Sequence, residues 1–292
     1  MHLPSLPHWI LALATPFTLL GAAAPAPEIA PTEYVYKQVG DVALRVAVFA
    51  PPSSSGQRRP AVAVFHGGGW TIGRLEWTYG DARLLAQAGY VGIGVQYRLS
   101  SLDRAEVTPL DAIADARDAI RWIRQHADQL GVDPHRIVAL GWSAGGHLAA
   151  CTAVLADPSA ETGISSSPDA LVLWFPALAL EYDDWMVRLL HGRADRSAIS
   201  PDKHVLPGLP PTLILIGRQD KVTPLAGAEK FCRLMRAAGN RCELHVYENV
   251  AHEFKDASGH IDPQVSADSK QRTLQFLRDL GLLAPQTGNR GL

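Results

Sequence analysis

The chain has 292 residues, nearly half of them apolar and under a fifth charged, with a formal net charge of −2 at pH 7. That composition excludes a disordered chain and suits a single α/β domain with a substantial core. No lysine- or arginine-rich run occurs, which points away from nucleic acid and anionic membrane surfaces as partners.

Residues 1–24 read as an export signal. Trp9 to Ala24 is mostly apolar, and Gly21-Ala22-Ala23-Ala24 supplies small residues for cleavage. Thr15, Pro16 and Thr18 interrupt the stretch, which is short for a membrane span. No Lys or Arg precedes it, a departure from the usual signal, and an uncleaved anchor stays open. The expectation is an exported protein, periplasmic or extracellular, with no stable membrane association once the signal is cut. Residues 25–32, rich in Pro and Ala, read as a linker, 33–285 as one folded catalytic domain, and 286–292 as a tail.

Tyr34 to Ala50 predicts two alternating strands with Asp41 at the turn between them. Pro60 to Gly68 is a continuous apolar run ended by glycines, as in a strand buried on both faces. A helix is expected near Gly80 to Gln87, then another buried strand within Tyr90 to Leu99. Pro109 to Leu130 predicts one long helix stopped by Gly131, with Ile113, Ala116, Ile120 and Ile123 at helical spacing. Asp111, Asp115, Arg117, Asp118, Arg121 and Arg124 fill much of its remaining surface. Arg136 to Gly146 reads as strand, sharp turn and helix start. Ala170–Pro176 and Pro211–Gly217 are two more buried strands. Gly227–Asn240 is a helix, Arg241–Val250 a strand, and Ser266–Leu283 a final helix. Alternating strands and helices imply a mostly parallel sheet covered on both faces, with its site at the carboxyl ends of the strands. The stretch from Asp157 to Leu209 reads as loops over that site, built around one strand and a short helix. Cys232 and Cys242 fall on adjacent elements; a disulfide and two buried thiols are both open, and Cys151 reads as packing.

Gly141-Trp142-Ser143-Ala144-Gly145 has the G-x-S-x-G spacing of a nucleophile elbow, in which a serine hydroxyl is exposed on a strand-to-helix turn. The pattern alone arises by chance in roughly one chain in ten of this length. Its context carries it: the apolar strand Ile137–Leu140 precedes it and a small-residue helix follows. His66-Gly67-Gly68-Gly69-Trp70 also follows a buried strand. Consecutive glycines let backbone N–H groups turn toward one point, which suits an oxyanion hole made by Gly68, Gly69 and Ala144. A phosphate-binding loop is the rival, but no Gly-Lys-Ser/Thr follows. Trp70 and Trp142 are expected at the substrate rim, and His66 as a brace of the loop. A hydroxyl needs a base, and in this arrangement the chain order is Ser, Asp or Glu, then His. Asp220 lies just past a buried strand and His252 just past the next; His147, His245, His260, Asp169, Asp202 and Asp256 fit those positions less well. No metal or cofactor is called for, since the cysteines and histidines show no ligand spacing.

With these residues in hand, the chain resembles the α/β-hydrolase esterases related to hormone-sensitive lipase, from about Tyr34 to the last helix. The resemblance rests on His66–Trp70, Tyr97-Arg98-Leu99, Asp133-Pro134, Gly141–Ala149, Gly217–Asp220 and His252-Glu253-Phe254. It implies an α/β-hydrolase fold and an ester hydrolase using Ser143, Asp220 and His252. Two departures matter. Trp142 stands where that group usually has Asp, and too few residues precede His66 to build its N-terminal helical cap. Both look more like the capless branch of bacterial acetyl-xylan and feruloyl esterases. The implied substrate is a small-molecule or polysaccharide-linked ester with a short acyl or cinnamoyl group. An amidase or peptidase on the same fold, similar to arylformamidase relatives, is the alternative, and a non-catalytic binding relative a third reading.

Overall fold

The structure, a computed structural model, describes residues 29–51, 58–157, 163–181 and 183–282. The expected export signal, the first half of the linker and the tail lie outside the described residues. Thr32–Val39 (β1) and Val42–Phe49 (β2) form an antiparallel hairpin across Gly40-Asp41, with Val39 opposite Val42 and a register shift between Val35 and Lys37. Arg59–Phe65 (β3), Val91–Val95 (β4), Val132–Trp142 (β5), Ala170–Trp174 (β6), Thr212–Gly217 (β7) and Cys242–Tyr247 (β8) complete one sheet of eight strands in the order β1-β2-β4-β3-β5-β6-β7-β8. β2 runs antiparallel to β4, and every pairing from β4 through β8 is parallel. β4, β6 and β7 are buried along their whole length. That is why they read as unbroken apolar runs, since helices cover both faces of a parallel sheet.

The helices are Tyr79–Gln87 (α1), Pro109–Gln125 (α2), the single turn Ala127–Leu130 (α3), Ala144–Val154 (α4), Asp184–Leu190 (α5), Leu225–Ala237 (α6) and Pro263–Asp279 (α7). α2 starts at Pro109, and Asp111 accepts the Thr108 backbone N–H at 2.9 Å, closing the first turn as a capping box does. The expected single helix to Leu130 is broken at His126. That residue leaves helical geometry (φ −100°, ψ 19°), stacks its ring on Trp122 at 4.3 Å and places Nδ1 2.8 Å from the Trp122 carbonyl. Gly131 then ends α3 in the left-handed region at φ +64°. α7 begins earlier than the apolar pattern suggests, because Asp262 caps it by accepting the N–H groups of Gln264 and Val265.

The charged face of α2 differs most from expectation. Asp115 is fully buried, and Arg117 and Arg121 are nearly so. Arg117 donates to the carbonyls of Leu155 and Ala156, while Asp115 binds Lys37 of β1 and Arg98. This face is an internal polar seam. Cys232 of α6 and Cys242 of β8 are buried free thiols, and Cys151 is a third. Among the described residues no helix is long and apolar enough to cross a membrane.

Candidate active site

Ser143 stands between β5 and α4 with φ +54° and ψ −120°. A non-glycine residue held there costs of order 1–3 kcal/mol, so the surroundings must enforce it. They do so through close approach. A Cβ on Gly145 would lie 2.1 Å from the Phe65 carbonyl oxygen and 2.4 Å from that of His66. Only glycine therefore lets the first turn of α4 press against the end of β3. The same approach brings the serine beside the loop that follows β3.

His252 opens a tight turn after β8, with Glu253 and Phe254 both at positive φ. Its Nε2 lies 2.9 Å from Ser143 Oγ and its Nδ1 2.8 Å from Asp220 Oδ2. A carboxylate only accepts, so Nδ1 carries the proton and Nε2 presents its lone pair to the serine hydroxyl. Asp220 is fully buried and follows β7. Its Oδ1 accepts the N–H groups of Val222 and Thr223 at 2.9 and 2.8 Å, and its Oδ2 faces the Thr223 hydroxyl at 3.0 Å. It is a turn aspartate in the ordinary sense, and the same turn aims its second oxygen at His252. Phe175 meets the imidazole edge-on at 4.9 Å. The structure thus brings together the three residues that the chain order singled out. Among the residues passed over, His147, Asp169 and Asp202 serve elsewhere. Asp169 accepts the Ile137 N–H, and Asp202 pairs with Lys230 of α6.

The glycine loop presents its N–H groups by holding the opposite side of each peptide. His66 Nδ1 donates to the Gly67 carbonyl at 2.7 Å, and Thr71 and Ile72 both donate to the Gly68 carbonyl at 3.1 Å. In a trans peptide the N–H points away from the C=O, so the N–H groups of Gly68 and Gly69 turn to the other side. Neither has an acceptor among the described residues. Ala144 opens α4, where a helix has no internal acceptor for the N–H. Gly68 sits at φ +115°, and a Cβ there would meet the Ile72 carbonyl oxygen at 2.1 Å. His66 is the expected brace: it is buried, stacks on Tyr97 at 4.3 Å, and the Tyr97 hydroxyl donates to the His66 carbonyl at 2.8 Å.

Trp70 corrects an expectation. It is 4 % exposed and points inward, its indole N–H donating to His147 Nδ1 at 3.3 Å, while His147 Nε2 lies 2.8 Å from the Ile199 carbonyl. Both contacts require neutral His147 with its proton on Nε2. Trp142 stays half-buried beside Gly67 and stacks with Trp174 at 6.5 Å. Sequence reasoning missed Thr223, whose signal was its place three residues after an aspartate in a turn. It also missed Trp185 of α5, whose indole N–H donates to the Gly69 carbonyl at 3.0 Å; no motif marks it. Among the described residues no group of three or more His, Cys, Asp and Glu is placed to hold a metal ion.

His147 makes this site acid-sensitive. Burial lowers its pKa from 6.5 to about 4, and burial lowers that of His66 as well. The unfolded chain takes up a proton at His147 below about pH 6.5, and the folded chain not until about pH 4. Its contribution to stability is therefore complete above about pH 6.5 and is lost as pH falls toward 4, on the scale of ~3 kcal/mol. Thermal melts between about pH 7 and 4.5 should show this loss, and His147→Gln should flatten it. Equal slopes for the two proteins would assign the acid sensitivity to other groups.

A family model described as alpha/beta hydrolase fold matches residues 62–256. A solved structure of Thermogutta terrifontis esterase 2 with butyrate bound is 37 % identical with a TM-score of 0.80, covering 89 % of this chain and 98 % of that one. The same esterase phosphorylated by paraoxon is 37 % identical with a TM-score of 0.79, covering 91 % of this chain and 100 % of that one. Esterase LipQ of Mycobacterium tuberculosis is 28 % identical over 239 residues, covering 75 % of this chain and 56 % of that protein. The chain spans about half the length of the curated relatives it matches.

Proposed function

The chain belongs to the α/β-hydrolase fold family, and from that membership we propose that it is a serine-type carboxylic ester hydrolase whose nucleophile is Ser143. Asp220 holds the His252 imidazole in the tautomer that can accept a proton. His252 takes the Ser143 proton as Oγ attacks the ester carbonyl. The N–H groups of Gly68, Gly69 and Ala144 receive the developing oxyanion. The tetrahedral intermediate expels the alcohol, which leaves with the proton from His252. Water, deprotonated by the same imidazole, then frees the acid from the acyl-enzyme. The observation that carries this reading is the continuous line of contacts from Asp220 through His252 to Ser143, set beside N–H groups that have no acceptor among the described residues.

The butyrate-bound relative supports a short acyl group. Between β6 and β7, α5 and two 3₁₀ turns stand over the sheet, and Ser143 keeps part of its surface exposed. That openness favours an ester of a bulky alcohol, acetylated or feruloylated polysaccharide among them. Export through residues 1–24 is part of the same proposal, since such substrates are met outside the cell.

The test is a panel of nitrophenyl acetate, propionate, butyrate, octanoate and laurate beside acetylated xylan, a feruloyl ester and a formyl amide. Turnover should be greatest for the short acyl groups. Paraoxon should abolish it while adding one diethylphosphoryl group to Ser143, read by peptide mass, with nitrophenol released in equal amount. Cleavage of the amide without any ester, or phosphorylation at another residue, would overturn the proposal. Failure on xylan and feruloyl esters alone would remove only the polysaccharide claim.

A further inference from the structure

Each peptide of the glycine loop is held by its carbonyl, but the three carbonyls are not held alike. That of Gly68 is bound by donors from the loop itself, Thr71 and Ile72, and that of Gly67 by His66 at 2.7 Å with a longer contact from the Tyr97 hydroxyl at 3.5 Å. The Gly69 carbonyl takes its donor from a different part of the chain, the indole N–H of Trp185 at 3.0 Å. A Cβ on Gly69 would find Trp185 Nε1 as its neighbour at 3.5 Å, so the indole edge lies directly over that residue. Gly69 and Trp70 are both left-handed, at φ +57° and +63°. A bulky residue such as tryptophan does not adopt that region unaided. On one side the strained pair is secured by Trp70 bonding to His147, and on the other by Trp185.

Trp185 is well placed to hold a fixed position although the residue is 37 % exposed. Asp183 caps α5 by accepting the Met186 N–H, and the buried Met186, Leu189 and Leu190 anchor the helix. The Arg188 guanidinium lies 5.8 Å from the centre of the Trp185 ring. At the end of α5, His191 Nε2 donates to the Ser101 carbonyl at 2.7 Å, tying the helix to the segment that follows β4, whose Ser100 N–H donates to the Trp70 carbonyl at 2.8 Å.

The geometry points to Trp185 as a positioning residue of the oxyanion hole: its indole N–H, bound to the Gly69 carbonyl, fixes the Gly69–Trp70 peptide and with it the left-handed torsions at Gly69, and so limits rotation of the adjoining Gly68–Gly69 peptide whose N–H faces the reacting oxygen. This deepens the ester-hydrolase reading and rests on it. The contact acts on the loop and not on the substrate in its ground state. Its loss therefore lowers kcat and leaves KM nearly unchanged.

The test compares wild type, Trp185→Phe, Trp185→Ala and Ser143→Ala on nitrophenyl butyrate, with inhibition by a butylboronic acid as a second readout. Trp185→Phe keeps an aromatic ring and loses the N–H together with part of the indole's bulk. It should lower kcat by about tenfold, less than the ~10²–10³-fold of losing an oxyanion donor outright, with KM within about twofold. It should weaken the boronate, which forms a tetrahedral adduct with an oxyanion, by a similar factor. Trp185→Ala should show at least the same fall in kcat. A Phe variant with wild-type kcat and boronate affinity overturns the proposal, and so does an effect confined to KM or to thermal stability. Activity persisting in Ser143→Ala would instead overturn the ester-hydrolase reading, so the two failures are distinguishable.

Discussion

Ser143→Ala is expected to lower kcat on nitrophenyl butyrate by ~10⁴-fold or more, with the fold intact. The hydroxyl contributes no buried packing. Its removal leaves the Asp220–His252 contact unchanged at Oδ2 and Nδ1, so no buried charge is stranded. What disappears is the oxygen 2.9 Å from His252 Nε2 that the proposed mechanism uses to form the acyl-enzyme. The remaining catalysis would come from the oxyanion N–H groups acting on a water attack. Because nucleophile and base act as a unit, His252→Ala should lose a comparable factor, and the double variant little more than either. Steady-state kinetics on protein whose melting temperature matches wild type decide the matter. An alanine variant retaining more than about a hundredth of wild-type turnover would place the nucleophile elsewhere.

The largest effect on stability is expected at Asp115, far in sequence from the nucleophile. Its carboxylate is fully buried and accepts from Arg98 at Nε (2.7 Å), Nη2 (2.8 Å) and the backbone N–H (3.1 Å), and from Lys37 at 2.6 Å. Removing one member of a buried charge cluster leaves the others desolvated without compensation, at a cost of about 3–5 kcal/mol. Asp118 also contacts Lys37 at 2.6 Å, and Asp111 contacts Arg98 at 3.4 Å, which places Asp115→Ala at the lower end. For a domain of this size the melting temperature should fall by roughly 10 °C. Asp118→Ala, at a residue 32 % exposed, should cost under about 1 kcal/mol. Arg98 follows Tyr97, whose hydroxyl holds the His66 carbonyl, so the Asp115 variant should also lose turnover. Similar melting temperatures for the two alanine variants would show that the seam does not support the fold.

Several elements were legible because their physics is local. β4, β6 and β7 are covered on both faces, and a strand so covered must be continuously apolar. Gly145 had to be glycine because a side chain there would strike the Phe65 carbonyl. Asp220 and His252 stand just past consecutive strands, where a parallel sheet collects its site residues. The break at His126 was not legible, because the helical pattern continues through it and the interruption comes from its ring stacking on Trp122. The burial of Asp115, Arg117 and Arg121 was not legible either. Helical spacing shows which side of α2 is polar and says nothing about whether water or a charged neighbour such as Lys37 covers that side.

The amino-acid order alone determined the α/β architecture, the glycine loop and the identity of the serine, aspartate and histidine brought together, since each depends on residue type and near neighbours. Tertiary structure decided that Trp70 faces His147 and not the rim, that Thr223 meets the second oxygen of Asp220, and that Trp185 reaches back across 116 positions to the Gly69 carbonyl. These are directional contacts between segments that meet only after the sheet is assembled, and no periodicity or spacing along one segment encodes the position of a partner on another.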